Sequence, residues 1–146
     1  NAPILWITYA EVKFIEAEAA LRANDRSRAY TAYLEGIRAH MDKVGVSTTQ
    51  REAYVTHPAV DVGAGNLTLD LVFKEKNVAT FLSPEAWVDH RRHDYEYPDF
   101  EPPVDQNPNL STDHIRRALY PLSEVERNRS NVPEVSLDGL LWWDQS

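Results

Sequence analysis

The first 45 residues constrain this chain more than any other stretch. They hold two helix-compatible segments joined through Asn24-Asp25 alone. A connection that short does not let two helices separate, so the pair must fold as an antiparallel hairpin. Thr8-Tyr9-Ala10-Glu11 has the spacing of a capping box, in which Thr8 accepts from the amide three residues on and Glu11 reaches back. Ile7 and Val12 stand where a hydrophobic staple would pack. The spacing predicts a helix over 9–23, with Phe14, Ile15, Ala17, Ala19 and Leu21 as its apolar side and a high alanine content in support. Asp25 is the cap of a second helix over 26–44, and Gly45 is its stop. Tyr30, Tyr33, Ile37, Met41 and Val44 recur three and four apart and share a face.

Ala17, Ala29, Tyr33 and Gly36 fall where a tetratricopeptide repeat places its small and aromatic packing residues. Small residues let two helices approach closely, and the aromatic ring fills the space beside them. Lys13 departs from that pattern, standing where a large packing residue would be expected.

Residues 46–65 read as a loop, polar and then rich in turn formers around His57-Pro58 and Gly63-Ala64-Gly65. Asn66 or Thr68 starts a third helix to about 82, with Leu71, Val72, Val78, Ala79 and Leu82 on one side. Ser83-Pro84-Glu85 combines a cap, a proline at the first helical position and an early acid, so a fourth helix runs over 84–93. Pro98, Pro102, Pro103 and Pro108 then exclude regular helix or central strand. Ser123-x-x-Glu126 is a further capping box and marks one short helix. The expected architecture is mainly α: a first hairpin over 1–45, a second helical pair over 66–93, and an irregular stretch over 94–146. Trp142 and Trp143 beside Leu140 and Leu141 read as buried anchors of a tail docked on the helices.

The net charge of −8 and the absence of a basic cluster argue against nucleic acid and against electrostatic attachment to anionic lipid. No apolar run is long enough to span a bilayer as a helix. There is no cysteine, which removes disulfide and thiol chemistry. The start at Asn1-Ala2-Pro3, leading into Ile4-Leu5-Trp6-Ile7, reads as a cut piece of a longer protein whose leader or anchor lies upstream. Two helical pairs are fewer than a repeat array usually needs. An exposed apolar patch around Phe14, Tyr30 and Ile37 is therefore expected on the first pair.

Several side chains invite a chemical reading. His90 and His93, flanked by Asp89 and Asp94, have the spacing of a metal pair, but no third or fourth ligand is signalled. A helix C-terminus favours partly charged imidazoles without any metal. Glu16 and Glu18 belong to helix-face or inter-helix ion pairs rather than to an acid/base pair with contrasting environments. Arg91-Arg92 and Arg116-Arg117 either clamp an anionic or sugar ligand or pair internally with carboxylates and loop carbonyls; the internal reading is preferred. Tyr95, Tyr97 and Phe100 form either a stacking platform for sugar rings or an arm packed across the helices. No nucleophile, acid and base can be assembled, and no phosphate loop is present. The expectation is a protein that is not an enzyme and needs no cofactor or metal.

Five segments, in this order, resemble the C-terminal part of the SusD/RagB family of surface nutrient-binding lipoproteins: YAEVKFIEAEAALR from Tyr9, AYTAYLEGI from Ala29, EAWVDHRR from Glu85, RRALYPLSEVERN from Arg116 and WWD from Trp142. Each alone is a weak signal, and the combination is specific. The resemblance implies tetratricopeptide-like hairpins with the irregular remainder packed on them, and a C-terminal fragment of a larger domain. It implies lipid anchoring at the outer-membrane surface, a glycan or peptide ligand, and a TonB-dependent transporter as partner. No ligand-binding residue carries over, because the matching segments read as scaffold. The competing class is a free-standing helical-repeat module that binds another protein.

Overall fold

The computed structural model describes residues 5–96, 98–99, 101, 104–105, 108, 110 and 114–142. The chain divides into two compact units, Asn1–Asp99 and Phe100–Ser146. The described residues form six helices and no strand: α1 (Tyr9–Arg22), α2 (Arg26–Lys43), α3 (Thr48–Val55), α4 (Leu69–Ala79), α5 (Pro84–Arg92) and, in the second unit, α6 (Leu122–Arg127).

The hairpin forms as its caps dictate. The Glu11 amide donates to Thr8 Oγ1 at 3.2 Å and the Glu11 carboxylate reaches back to the Thr8 amide, completing the capping box. Asn24 turns the chain with φ +61°, a left-handed value that asparagine tolerates. Asp25 then caps α2 by accepting from the Arg28 amide at 3.2 Å. Gly45, at φ +79°, closes α2: its amide donates to Asp42 and the Val46 amide to Met41, so the last carbonyls are satisfied. Ile7 and Val12 both remain exposed, so the expected staple is not buried.

The core centres on Phe14, which is fully buried among Ala10, Ala17, Ala29, Ala32, Tyr33 and Ile37. Its ring lies against Gly36, where an added Cβ would meet Phe14 Cζ at 3.0 Å. The small residues of the repeat-like pattern therefore face the hairpin interface, as their spacing implied. Lys13 fits electrostatically in place of a packing residue, with Nζ 2.9 Å from Glu16 and 2.8 Å from Glu35 across the hairpin.

Ile15 and Ala19, expected on the apolar side of α1, are exposed, because the close seam with α2 selects the stripe through 10, 14 and 17. The face expected to be bare is covered: Phe14 and Ile37 are buried and Tyr30 is partly so. An exposed apolar stripe lies instead on α1, through Tyr9, Val12 and Ile15.

The stretch 46–65 is not all loop. Ser47 accepts from the Gln50 amide and starts α3, a cap with the S-x-x-Q signature that the threonines at 48 and 49 obscured. The side of α3 toward the core supplies Val55, which joins Val60, Leu67 and Val72 in the same cluster. Thr68 caps α4 through the Leu71 amide, but α4 ends at Ala79 and leaves Val78 and Leu82 exposed. Its buried stripe is Val72, Phe73, Glu75, Lys76 and Ala79, and it lies against α1. Leu82 adopts φ +65°, ending the helix before the Ser83-Pro84 restart of α5.

In the second unit, α6 begins at Leu122 with Pro121 at the cap position, so Ser123 lies inside the first turn and caps nothing. The Arg116 and Arg117 amides both donate to the Leu137 carbonyl, at 2.9 and 3.0 Å. Trp142 is 84% exposed, contrary to the buried anchor expected of it. Trp143 lies outside the described residues.

Replacing Gly36 with alanine gains about 1 kcal/mol of helix propensity but forces a methyl onto a ring with no free side, at about 1–3 kcal/mol. The net expectation is a loss of up to about 2 kcal/mol in urea unfolding, and the double variant with Phe14→Leu should lose less than the sum of the two single losses. An unchanged or raised stability in Gly36→Ala alone would show that the seam has room.

Candidate functional site

A groove of about 380 Å³ runs between α1, α4 and α5, lined by Ile15, Ala19 and Val88 together with seven charged side chains. The charges are not loose. Glu18, on the buried side of α1, receives both ends of the Arg92 guanidinium at 2.9 Å and Arg22 Nε at 3.0 Å. Arg92 also donates to Asp89 at 2.8 Å, and the other oxygen of Asp89 lies 2.6 Å from the buried Lys76 ammonium. The chain Arg22–Glu18–Arg92–Asp89–Lys76 thus ties α1, α4 and α5 together with alternating sign. Burial pushes the Glu18 carboxyl up, but Arg92 and Arg22 together outweigh it and hold the group below the ordinary carboxylate range.

Arg91 is buried as well, its guanidinium 4.0 Å from the centroid of the Trp87 ring. The Arg91-Arg92 pair is therefore built into the scaffold. Arg117 lies over the Tyr120 ring at 5.9 Å.

The histidines diverge rather than converge. His93 stacks on Phe73 with ring centroids 4.3 Å apart, and its Nε2 lies 3.0 Å from Asp70 Oδ1. His90 stacks on Tyr95 at 5.4 Å. Among the described residues no group of three or more His, Cys, Asp or Glu is placed to hold a metal ion. Tyr95 is half-buried, and its stacking on His90 fits an arm packed on its own helix; Tyr97 and Phe100 lie outside the described residues. Glu16 pairs with Lys13 and Arg28, and Glu18 pairs as above, so neither is a free acid or base.

A second concavity, of about 560 Å³, lies within the second unit. Leu119, Leu122, Val125, Val132, Pro133 and Val135 line it, with Tyr120, Arg129 and Glu134 as its polar groups. Its size and apolar lining are those of small-molecule sites generally.

Sequence reasoning missed a buried polar cluster. Glu75 of α4, 7% exposed, accepts from Tyr54 Oη of α3 at 2.8 Å. Burial, and then the charge of Glu75, pushes the phenol of the wholly buried Tyr33 of α2 well above its ordinary value. The signal was available: Val72, Glu75 and Ala79 are three and four apart, which puts the acid on the core stripe.

Two hairpin-forming helices with small residues at their seam, further helices stacked on them and arginines locked to carboxylates define a helical scaffold of repeat type. A family model described as SusD-like, starch-binding and associating with the outer membrane matches residues 1–121. The chain belongs to the SusD-like family. No curated protein and no solved structure matches it significantly. No helix among the described residues is long and apolar enough to cross a membrane.

The ion-pair chain makes a specific claim on stability. Arg92→Ala leaves Glu18 with Arg22 alone and Asp89 with Lys76 alone on a half-buried seam, and should cost about 1–2 kcal/mol, less than a fully buried pair because Arg92 is partly exposed. The depressed Glu18 group contributes above its unfolded-state value, and that contribution is lost as pH falls through its folded value. Thermal melts at neutral and acid pH should therefore show the Arg92→Ala deficit shrinking on acidification. A deficit that stays constant with pH would place the damage elsewhere.

Proposed function

We propose that this chain is the helical scaffold of a cell-surface nutrient-binding lipoprotein that captures glycan for import through a TonB-dependent transporter. The observation that carries the reading is the family match over residues 1–121, to a family described as starch-binding and associating with the outer membrane. In the first unit Glu16 and Glu18 are committed to ion pairs with Lys13, Arg28, Arg22 and Arg92. The anchor in this reading is an N-terminal lipid on the full-length protein, and the ligand is a starch-type glucan.

The free-standing interaction module has one observation in its favour, the exposed stripe through Tyr9, Val12 and Ile15. A stripe of that kind suits a neighbouring helix.

Affinity capture of the full-length protein from its native membranes separates the two readings. The lipoprotein reading expects a TonB-dependent transporter to co-purify, and capture without one favours the module. On a glycan array the full-length protein should retain α-glucans. Incubated with the same glucans, the pure protein should leave their chain-length distribution unchanged. Reproducible shortening that one carboxylate substitution abolishes would make it an enzyme.

A further inference from the structure

The second unit keeps an apolar concavity open where collapse would be expected to close it. Leu119 and Leu122 are 51% and 71% exposed, and α6 buries no residue. The same side chains line the cavity of about 560 Å³. Apolar surface of this kind leaves water unless the backbone prevents it.

Polar braces hold the backbone at both ends. After α6 the chain turns at Asn128, whose backbone amide donates to the Glu124 carbonyl at 2.9 Å. The Asn128 side-chain amide donates to Glu124 Oε1 at 2.7 Å. Asn131 repeats the pattern on Asn128, with its backbone amide 2.9 Å from the carbonyl and its side-chain amide 2.6 Å from Oδ1. This ladder fixes the turn that carries Arg129 and leads into 132–135. At the other end the Arg116 and Arg117 amides hold the Leu137 carbonyl. The lining segments 119–125 and 132–135 thus run between two fixed points. Pro121 and Pro133 further restrict the backbone within them. A concavity fixed in advance costs less to fill than one that must be ordered by its ligand.

The polar groups define the ligand. Arg129 only donates hydrogen bonds, and ionised Glu134 only accepts them. Among the described residues neither side chain has an ion pair or a hydrogen bond. The two charges cancel, so the concavity suits a neutral molecule that carries donors and acceptors together. A sugar hydroxyl is both at once, and it can accept from Arg129 while a neighbouring hydroxyl donates to Glu134. The C–H faces of a pyranose ring match the Tyr120 ring and the leucine and valine walls.

The family match ends at residue 121, so its description does not itself place a ligand among 122–135. We infer that the concavity of the second unit is a contact site for the glucan. Arg129 and Glu134 take its hydroxyls, and Tyr120 with the aliphatic walls packs its C–H faces. This assignment rests on the glucan reading above.

Methyl NMR on the full-length protein, titrated with maltoheptaose, reads the site directly. The methyl signals of Leu122, Val125, Val132 and Val135 should shift and saturate, while those of Val55 and Val72 stay in place. Arg129→Ala and Glu134→Ala should each raise the saturation midpoint of the four shifting signals by about tenfold. Both side chains are exposed, and methyl spectra of the unliganded variants that match wild type verify that they fold. Calorimetry on the same samples separates the two claims. Glucan binding that leaves the four signals still, or a midpoint that neither variant moves, overturns the site and leaves the glucan reading standing. Absence of binding by both methods removes the glucan reading, and the site falls with it. Signals that shift with an apolar peptide and not with maltoheptaose also overturn the site.

Discussion

The contact between the Phe14 ring and the backbone of Gly36 is the constraint from which the first unit follows. A residue with a Cβ at 36 would hold α1 and α2 apart, and the ring could not fill the seam. With glycine there, and alanines at 17, 29 and 32, the helices close on a single large side chain. That closure fixes which stripe of α1 is inside, and so which stripe of α1 meets α4. Glu18 lies on the buried side and is placed to meet Arg92. The groove between α1, α4 and α5 is thus a consequence of how tightly the first two helices pack.

The later helices of this unit are short, and apolar burial alone does not hold them. α5 buries one residue, Arg91, and α3 buries one, Val55. Charge takes over where the apolar stripe is thin. Arg92 bridges Glu18 and Asp89 to fasten α5 to α1, and Arg38 fastens α3 to α2 through Glu52. Bidentate arginine suits this task because its fork matches a carboxylate and loses little freedom per hydrogen bond formed. Arginines committed in this way are poor candidates for gripping a ligand. This is why the groove, although charged, reads as structure rather than as a binding cleft.

Local signals in the sequence translated well into structure. Thr8, Asp25, Thr68 and Ser83 each cap the helix their spacing announced, because a cap is a contact between residues three or fewer apart. The choice of buried stripe was less legible. Ile15, Ala19 and Val78 are apolar and helically spaced, yet the seam geometry turns them outward, and Leu82 lies beyond the end of α4. Periodicity gives an apolar side about as wide as the helix can carry, and the neighbour decides which part is covered. α3 escaped notice because two threonines follow its cap, and their propensity is modest. The ion pairs were legible in kind but not in partner: Arg92 to Glu18 joins residues 74 apart, a pairing that only the fold supplies.

Glu18 and Glu75 show that one scaffold buries carboxyls in two opposite ways. Both are nearly inaccessible, and burial pushes both upward. Glu18 meets two guanidinium groups, and their attraction exceeds the cost of desolvation, so acid weakens its contribution. Glu75 accepts from one neutral phenol, that of Tyr54, which does not offset burial, so alkali weakens its contribution. The two are also placed differently. Glu18 sits where three helices meet, and its loss acts on the whole unit. Glu75 sits on the core stripe of α4 and accepts from Tyr54 of α3. A polar group buried without a cation does little for global stability.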